Sequence, residues 1–108
     1  MRVLFLGDIV ARSGRTVVSR ELPSLRRALK LDFVVANAEN AAHGFGITEK
    51  ICRELFKIGV DVITGGNHSW DKSEIIPYIA QEKRLLRPLN FPAKTPGRGV
   101  GIYGDGSG

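Results

Sequence analysis

The sequence predicts an α/β fold with a mostly parallel sheet, in the element order β-α-β-α-β-α. Three short apolar runs, at residues 2–7, 32–37 and 60–64, indicate buried strands. The segments between them space their apolar residues as helices do. Because strands that alternate with helices favour right-handed crossovers, we expect the strands to lie parallel. A length of 108 residues suits one small domain.

The first strand is followed by a turn and then a long helical pattern. The strand ends in Gly7-Asp8, and we expect a turn at residues 12–15, which are rich in Arg, Ser and Gly. Four apolar residues then recur at spacings of four, three and four: Val18, Leu22, Leu25 and Leu29. Pro23 lies inside this pattern and lacks an N–H, so we expect it to kink the helix or to begin a second one.

The second strand leads through a small, Gly-containing loop, residues 38–46, to a second helix. Thr48 is a suitable N-cap, and Gly59 is a good helix stop. The apolar stripe of this helix consists of Ile47, Ile51, Leu55 and Ile58.

After the third strand, Val60–Thr64, Asp71 and Glu74 resemble a capping box for a helix that runs to about Tyr78. Its candidate buried residues are Ile75, Ile76 and Ile79. From Arg87 onward Pro and Gly dominate.

Val100–Tyr103 is a candidate for a fourth strand. Residues 104–108 contain nothing to bury, and we expect a disordered tail. The sequence shows no internal repeat.

Composition favours an ordinary globular protein, 43% hydrophobic and 25% charged. No apolar stretch approaches the roughly 20 residues that cross a bilayer. The run after Arg2 breaks at Gly7-Asp8, so it predicts a strand and not a signal peptide. Cys52 is the only cysteine, which excludes an internal disulfide. We therefore expect a cytoplasmic protein without a membrane partner.

The net charge of +5 is compatible with an anionic partner such as RNA or a phosphate-bearing substrate. Many basic residues lie on the first predicted helix: Arg15, Arg20, Arg26, Arg27 and Lys30. A solvated helix face is the usual explanation of such a pattern, so a nucleic-acid surface is not the favoured interpretation.

Each apolar run ends in side chains that can bind metals or transfer protons. These are Asp8 after the first run, Glu39 and Asn40 after the second, and Asn67 and His68 after the third. Because the ends of parallel strands lie side by side, we expect these side chains to converge in one crevice. Carboxylate and amide oxygens suit hard divalent cations, and imidazole suits proton donation near neutral pH. Alternatively, Asp8 caps a helix, Asn37 and Asn40 form turns, and Glu39 is solvated.

Four other residues carry weaker signals. His43, beside Glu39 and Asn40, could contact substrate, although the sequence does not show this. Cys52 lies in an apolar helix pattern and is expected to be buried and inert. For Phe45 and Trp70, packing is the default explanation. The glycine-rich segments match neither a P-loop nor a dinucleotide-binding fingerprint.

With these motifs in hand, the chain resembles the YmdB-like branch of the calcineurin-like metallophosphoesterases, over nearly its whole length. The segments that carry the resemblance are Leu6-Gly7-Asp8-Ile9-Val10, Asn37-Ala38-Glu39-Asn40-Ala41-Ala42, Gly46-Ile47-Thr48-Glu49-Lys50, Gly66-Asn67-His68-Ser69-Trp70-Asp71 and Arg87-Pro88-Leu89-Asn90-Phe91-Pro92. The resemblance implies a phosphodiesterase acting on 2',3'- or 3',5'-cyclic nucleotides, within a metallophosphoesterase-type α/β sandwich.

The resemblance also implies a role for each site residue. Asp8 and Asn40 would bind one metal ion, and Glu39 would bridge two. Asn67 would bind the second ion, and His68 would protonate the leaving oxygen or stabilise the transition state. A hydroxide held by both ions would attack phosphorus. Fe or Mn suits such ligands best, with Mg or Zn as alternatives.

The chain departs from the pattern of the broader family at two points. Val10 stands where metallophosphoesterases usually carry a histidine, a role that Asn40 is thought to take in this branch. The family also uses a lone histidine and a His-x-His pair from its second half, whereas this chain contains only His43 and His68.

We therefore expect residues 1–108 to be the N-terminal portion of one metallophosphoesterase domain, with an open half-site. An apolar sheet face and a strand edge should be exposed, and a complementary C-terminal half is a possible partner. The alternative is a non-catalytic fragment, or an RNA- or protein-binding module that uses a basic face.

Overall fold

Alternating apolar runs and amphipathic segments produce four strands and three helices in the computed structural model, which describes residues 1–104. The elements are β1 (Val3–Leu6), α1 (Ala11–Ala28), β2 (Phe33–Asn37), α2 (Glu49–Lys57), β3 (Val62–Thr64), α3 (Ile75–Ile79) and β4 (Leu85–Leu86). Of the predicted disordered tail, Gly104 is exposed and outside regular structure, and residues 105–108 lie outside the described residues.

The strands form one parallel sheet in the order β1-β2-β3-β4. Leu6 pairs with Ala36, and Ala36 pairs with Ile63, so the carboxyl ends of these strands lie level. Each strand neighbours the preceding one, and right-handed crossovers therefore place all three helices on one face of the sheet. The predicted α/β class with a mostly parallel sheet is confirmed.

The core lies between the helices and the face of the sheet that they cover. Strand residues such as Val34, Ala36 and Ile63 are fully buried there. The helix residues packed in the same core are Leu22, Ile51, Cys52, Leu55, Ile75 and Ile79. Burial of these apolar side chains stabilises the fold by removing their surface from water.

The opposite face of the sheet is open along β1 and covered at β3, where Val62 is buried. Val3 is 55% exposed and Phe5 is 61% exposed, so the prediction that the first strand is buried was wrong. The reason is that β1 pairs only with β2 and has an open face beside it. The predicted exposed apolar face and free strand edge are confirmed for residues 1–104.

Helix α1 differs from its prediction at both its start and its middle. It begins at Ala11, so residues 12–15 are helical and not a separate turn. Pro23 is accommodated within one continuous helix, because proline removes only one donor and Leu22 beside it is buried in the core. Leu25 and Leu29 are 37% and 44% exposed, so only the first half of the predicted apolar face is covered.

Helix α2 follows its prediction. The Thr48 hydroxyl accepts a hydrogen bond from the Ile51 N–H at 3.2 Å, which caps the helix. Gly59 ends it with φ of +119°, a conformation that side chains rarely adopt. Ile58 is half-buried, and the other three residues of the stripe are buried.

The region after β3 contains two corrections. The capping box at Asp71 and Glu74 does not form, because residues 67–74 make turns and α3 begins only at Ile75 without a side-chain cap. Ile76, predicted to be buried, is 40% exposed, since this short helix buries only one side.

The fourth strand is Leu85–Leu86 and not Val100–Tyr103. The Tyr103 ring instead lies 6.1 Å from the Phe33 ring, and its hydroxyl donates to the Lys83 carbonyl. This segment thereby crosses part of the open sheet face. Within residues 1–104, no helix combines the length and apolar character needed to cross a membrane.

Candidate functional site

The turns that follow β1, β2 and β3 are held against one another by backbone hydrogen bonds. These bonds run from Ile9 N–H to the Asn37 carbonyl at 3.1 Å, from Ala38 N–H to the Thr64 carbonyl at 3.1 Å, and from Ala11 N–H to the Asn40 carbonyl at 3.0 Å. The crevice beyond the carboxyl ends of the strands is therefore fixed by main-chain contacts, as parallel sheets with a ligand site require.

Asp8 and Asn40 are in direct contact across this crevice. The Asn40 Nδ2 atom donates to both carboxylate oxygens of Asp8, each at 3.1 Å. Asp8 is exposed and Asn40 is half-buried. The amide nitrogen faces the carboxylate, so the Asn40 oxygen would turn toward Asp8 only after rotation of the amide by half a turn.

Glu39 reaches from the end of β2 to the turn after β3. Its Oε2 atom accepts a hydrogen bond from the His68 backbone N–H at 3.1 Å. A Cβ atom at Gly66 would lie 2.2 Å from both carboxylate oxygens of Glu39. Only glycine therefore allows the carboxylate to lie against this turn.

The turn itself is fixed by Ser69, which sequence reasoning missed. The Ser69 hydroxyl accepts from Gly66 N–H at 2.8 Å, and Ser69 N–H donates to the Gly66 carbonyl at 3.1 Å. Ser69 is 2% exposed. The available signal was a serine three residues after a glycine, a spacing typical of side-chain–backbone turns. The effect is to fix the backbone on both sides of Asn67 and His68.

His68 is oriented by Asp71. The Nδ1 atom of His68 lies 2.7 Å from Oδ2 of Asp71, three residues later. A carboxylate at this distance favours a proton on Nδ1 and leaves Nε2 at the exposed tip of the ring. Asp71, predicted as a helix cap, is thus a neighbour of the candidate proton donor.

The remaining candidates lie at the margin of the site. Asn67 is exposed on the same turn as His68, and the described contacts do not join its side chain to Asp8, Glu39 or Asn40. His43 is exposed, has φ of 49°, and lines a separate groove along α1. The structure thus joins Asp8 to Asn40 and Glu39 to the backbone of His68.

The candidate metal ligands are oxygen donors of the type that hard divalent cations prefer, and there are only four of them. It contains two carboxylates and two amides, and oxygen donors of this kind suit Mg, Mn and similar ions. Among residues 1–104, no three His, Cys, Asp or Glu side chains lie close enough to hold a metal ion. The Asn37 Oδ1 atom is buried and lacks a donor among the described residues, which leaves one unpaired acceptor at the end of β2.

The large pKa changes occur away from this crevice. Burial, followed by the charges of Glu82 and Glu49, raises the pKa of Cys52 to about 12. The thiol is fully buried in α2, so the prediction of a buried cysteine is confirmed. Burial also raises the pKa of Tyr78 to about 12.

Comparison with known proteins shows a match to a protein family. Residues 4–108 match the family model described as YmdB-like protein. The chain is 50% identical, over 93% of its own length, to a Bacillus subtilis protein named 2',3'-cyclic-nucleotide 2'-phosphodiesterase.

Two solved structures resemble this fold. A hypothetical protein from Thermus thermophilus is 44% identical with a TM-score of 0.85 over 91% of this chain. A structure described as a novel phosphatase from Mycoplasma pneumoniae is 35% identical with a TM-score of 0.82 over 89% of this chain. The chain spans 38% of the Bacillus relative and 38% and 36% of these two structures.

Proposed function

Because the chain belongs to the YmdB-like protein family, we propose that it carries part of the site of a metal-dependent phosphodiesterase acting on 2',3'- or 3',5'-cyclic nucleotides. The observation that carries this proposal is the contact of Glu39 with the Gly66–His68 turn. That contact holds a carboxylate from the end of β2 against the backbone of His68 in the turn after β3. The printed name of the Bacillus relative supports the choice of substrate class.

Four side chains would hold two divalent ions, with Fe or Mn favoured and Mg or Zn as alternatives. Asp8 and Asn40 would hold one ion, Asn67 would hold the other, and Glu39 would contact both. When bound, such ions supply Lewis-acid activation of water and of the phosphoryl oxygens. The Asn40 amide would have to turn its oxygen toward Asp8, since its nitrogen faces Asp8 in the structure.

His68 would handle the proton. With Asp71 accepting from Nδ1, a ring protonated at both nitrogens would give its Nε2 proton to the leaving oxygen and would keep its Nδ1 proton. The Glu39 carboxylate, by accepting from the His68 N–H, sets the position of this residue as well as its own.

A complementary C-terminal half would complete the site. The support for this part of the proposal is that the donor set among residues 1–104 lacks histidine ligands and that the matched relatives are longer than this chain. We also propose that the reaction takes place in the cytoplasm, because its reducing conditions suit a protein whose one cysteine is free and buried.

The test is hydrolysis of bis-p-nitrophenyl phosphate by the purified chain with Mn²⁺, Fe²⁺, Mg²⁺ or Zn²⁺, alongside calorimetric titration of Mn²⁺. We expect Glu39→Gln to weaken Mn²⁺ binding, and any hydrolysis that the partial site supports to be lost in Glu39→Gln and in His68→Ala. Glu21→Gln, which changes an exposed carboxylate on α1, is the matched control.

Failure of hydrolysis with every metal, together with unchanged Mn²⁺ binding in Glu39→Gln, would contradict the proposed enzyme. If salt-sensitive RNA binding were then found, the chain would be a non-catalytic binding module. The basic groove described next is the observation that favours this second candidate.

A further inference from the structure

A polar groove of about 810 Å³ runs between α1 and α2, outside the crevice described above. Its basic side chains are Arg12, Arg15, Arg20 and Lys50, and its carboxylates are Glu54 and Glu74. This volume is in the range of cavities that bind small molecules. Positive charge predominates, so an anionic occupant is favoured.

The α1 wall of the groove is a polar stripe at helical spacing. Arg12, Arg15 and Arg20 recur at intervals of three and five, with Thr16 and Ser19 between them. Each of these five residues lies three or four positions from another of them, a spacing that places neighbours on adjoining parts of one helix surface. The sequence pattern that suggested a solvated face therefore lines a concave surface.

The basic groups of the groove are largely without protein partners. The Arg15 Nε atom is buried and has no acceptor within reach among residues 1–104. Among residues 1–104, neither Arg12 nor Lys50 forms an ion pair. Arg20 pairs with the exposed Glu21 at 2.9 Å. A buried donor without an acceptor is costly, and a phosphate oxygen would satisfy it.

The groove begins next to the candidate site. Arg12 lies one residue after Ala11, whose N–H donates to the Asn40 carbonyl at 3.0 Å. On the other wall, Ala42 and His43 follow Asn40 by two and three residues. A ligand that filled the groove would therefore reach the carboxyl ends of β1 and β2.

The groove is longer than one phosphate group. From Arg12 to Arg20, α1 advances about 12 Å, at ~1.5 Å per residue. Successive phosphates on one nucleic-acid strand rise about 3.4 Å in a duplex. A second depression of about 300 Å³ shares Arg15, Ser19, Ile51 and Glu54 with the groove and continues it along α2. Lys57 adds a further positive charge to this extension.

We propose that this groove binds the phosphodiester backbone of a single-stranded oligoribonucleotide whose 3' end points toward the crevice at Asp8, Glu39 and Asn40. The inference rests on the proposed function and narrows its substrate class. A cyclic mononucleotide would occupy only the crevice, whereas an oligonucleotide would also contact Arg12, Arg15 and Lys50.

The test is fluorescence anisotropy of the 108-residue chain with a 5'-labelled hexaribonucleotide ending in a 2',3'-cyclic phosphate. We expect Arg12→Gln/Lys50→Gln to weaken binding about tenfold and to lower the slope of log affinity against log salt by about 1.4. Arg27→Gln/Lys94→Gln removes the same charge from exposed positions outside the groove, and we expect less than a twofold change. Circular dichroism establishes that each variant is folded.

A second measurement needs no variant. Ultraviolet cross-linking of a 4-thiouridine-containing hexamer to the unaltered chain should label peptides containing residues 12–20 and 43–54. Equal weakening by both double variants, labelling confined to other peptides, or equal competition by polyglutamate and by unlabelled hexamer would overturn the proposal. Polyglutamate competition would identify a groove for acidic polypeptides instead.

The binding and hydrolysis assays separate the two proposals. Groove-dependent hexamer binding, with no hydrolysis of bis-p-nitrophenyl phosphate and with Mn²⁺ binding that Glu39→Gln leaves unchanged, would remove the proposed enzyme and leave an oligonucleotide-binding groove. Hydrolysis that depends on Glu39 and His68, with hexamer binding no tighter than that of 2',3'-cyclic AMP, would remove the groove proposal alone.

Discussion

His68 and Asp71 form a side-chain pair within one turn, with His68 Nδ1 2.7 Å from Asp71 Oδ2. The pair lies beside Ser69, which fixes the backbone of the same turn. Two separate contacts thus restrict the orientation of His68: Ser69 holds the backbone of its turn, and Asp71 holds its ring. A proton donor that must meet a leaving oxygen needs this kind of orientation.

We predict that Asp71→Ala shifts the His68 tautomer. With the carboxylate removed, Nδ1 loses its acceptor, and the neutral ring should populate both tautomers instead of mainly the one protonated at Nδ1. The measurement is the pair of ¹⁵N ring shifts of His68 in the neutral imidazole. Glu74→Ala, a nearby exposed carboxylate, should leave the shifts unchanged. Identical shifts in unaltered chain and Asp71→Ala would show that the pair does not orient the ring.

Gly66→Ala should displace the Glu39 carboxylate. The added Cβ would lie 2.2 Å from both of its oxygens, which are the flexible end of the side chain, so we expect Mn²⁺ binding to be lost and the free energy of unfolding to fall by less than about 1 kcal/mol. Gly7→Ala is the matched control, because a Cβ there meets no atom within 4 Å. Titration calorimetry and urea unfolding measure both effects, and equal behaviour of the two variants would refute the close approach.

Asp61 joins β2 and α1 to the start of β3. Its Oδ2 atom accepts from Arg26 Nη1 and from Val34 N–H, each at 2.8 Å. Asp61→Ala should lower the free energy of unfolding by about 2 kcal/mol, since it leaves the Val34 N–H without its acceptor and removes the charged partner of Arg26. Glu21→Ala, which breaks the exposed pair with Arg20, should cost less than ~1 kcal/mol. Urea unfolding of both variants decides whether the two pairs differ in this order.

Alkaline pH should destabilise the fold through Cys52. The unfolded thiol ionises near its ordinary pKa of 9.0, whereas the folded thiol keeps its proton up to about pH 12. Between these values the unfolded chain binds fewer protons, so the free energy of unfolding falls by up to about 1.4 kcal/mol per pH unit. Below pH 9 this contribution is absent.

Cys52→Ala removes this titration and leaves the similar one of Tyr78, whose pKa is also raised to about 12. Between about pH 8 and about pH 10.5, with a reducing agent, we expect the unaltered chain to lose about 2 kcal/mol more stability than Cys52→Ala does. Urea unfolding at both pH values measures the difference. Equal losses would mean that the thiol is not protected from ionisation.

Features set by local chemistry could be predicted from the sequence. The Thr48 cap, the Gly59 stop and the α2 stripe depend on residues within one or two turns, and all three form as expected. Parallel pairing followed from the alternation of strands and helices.

Features that depend on packing between distant segments could not be predicted from the sequence. Whether β1 is buried depends on what covers the sheet and not on its own apolar run, and Phe5 is exposed. Leu85–Leu86 is too short for a periodic signal and forms a strand because β3 offers it a free edge. Asp71 satisfied a capping pattern, yet its carboxylate has a nearer partner in the His68 ring.

The same limit applies to the candidate site. Strand-end position indicated which side chains share a crevice, and the Asp8–Asn40 and Glu39–His68 contacts lie there. The sequence could not indicate that a glycine had to face Glu39, or that scattered arginines of α1 would line a groove with Lys50. Both depend on distances between segments that only the folded chain defines.

The sequential strand order has a consequence for synthesis on the ribosome. Because every strand pairs with the one translated just before it, each β-α-β unit has its docking partner already in place when it emerges. Nascent chains of this kind need no late-arriving segment to thread between earlier ones. Stalled intermediates ending after α2 should already protect the amides of β1 and β2 from hydrogen exchange.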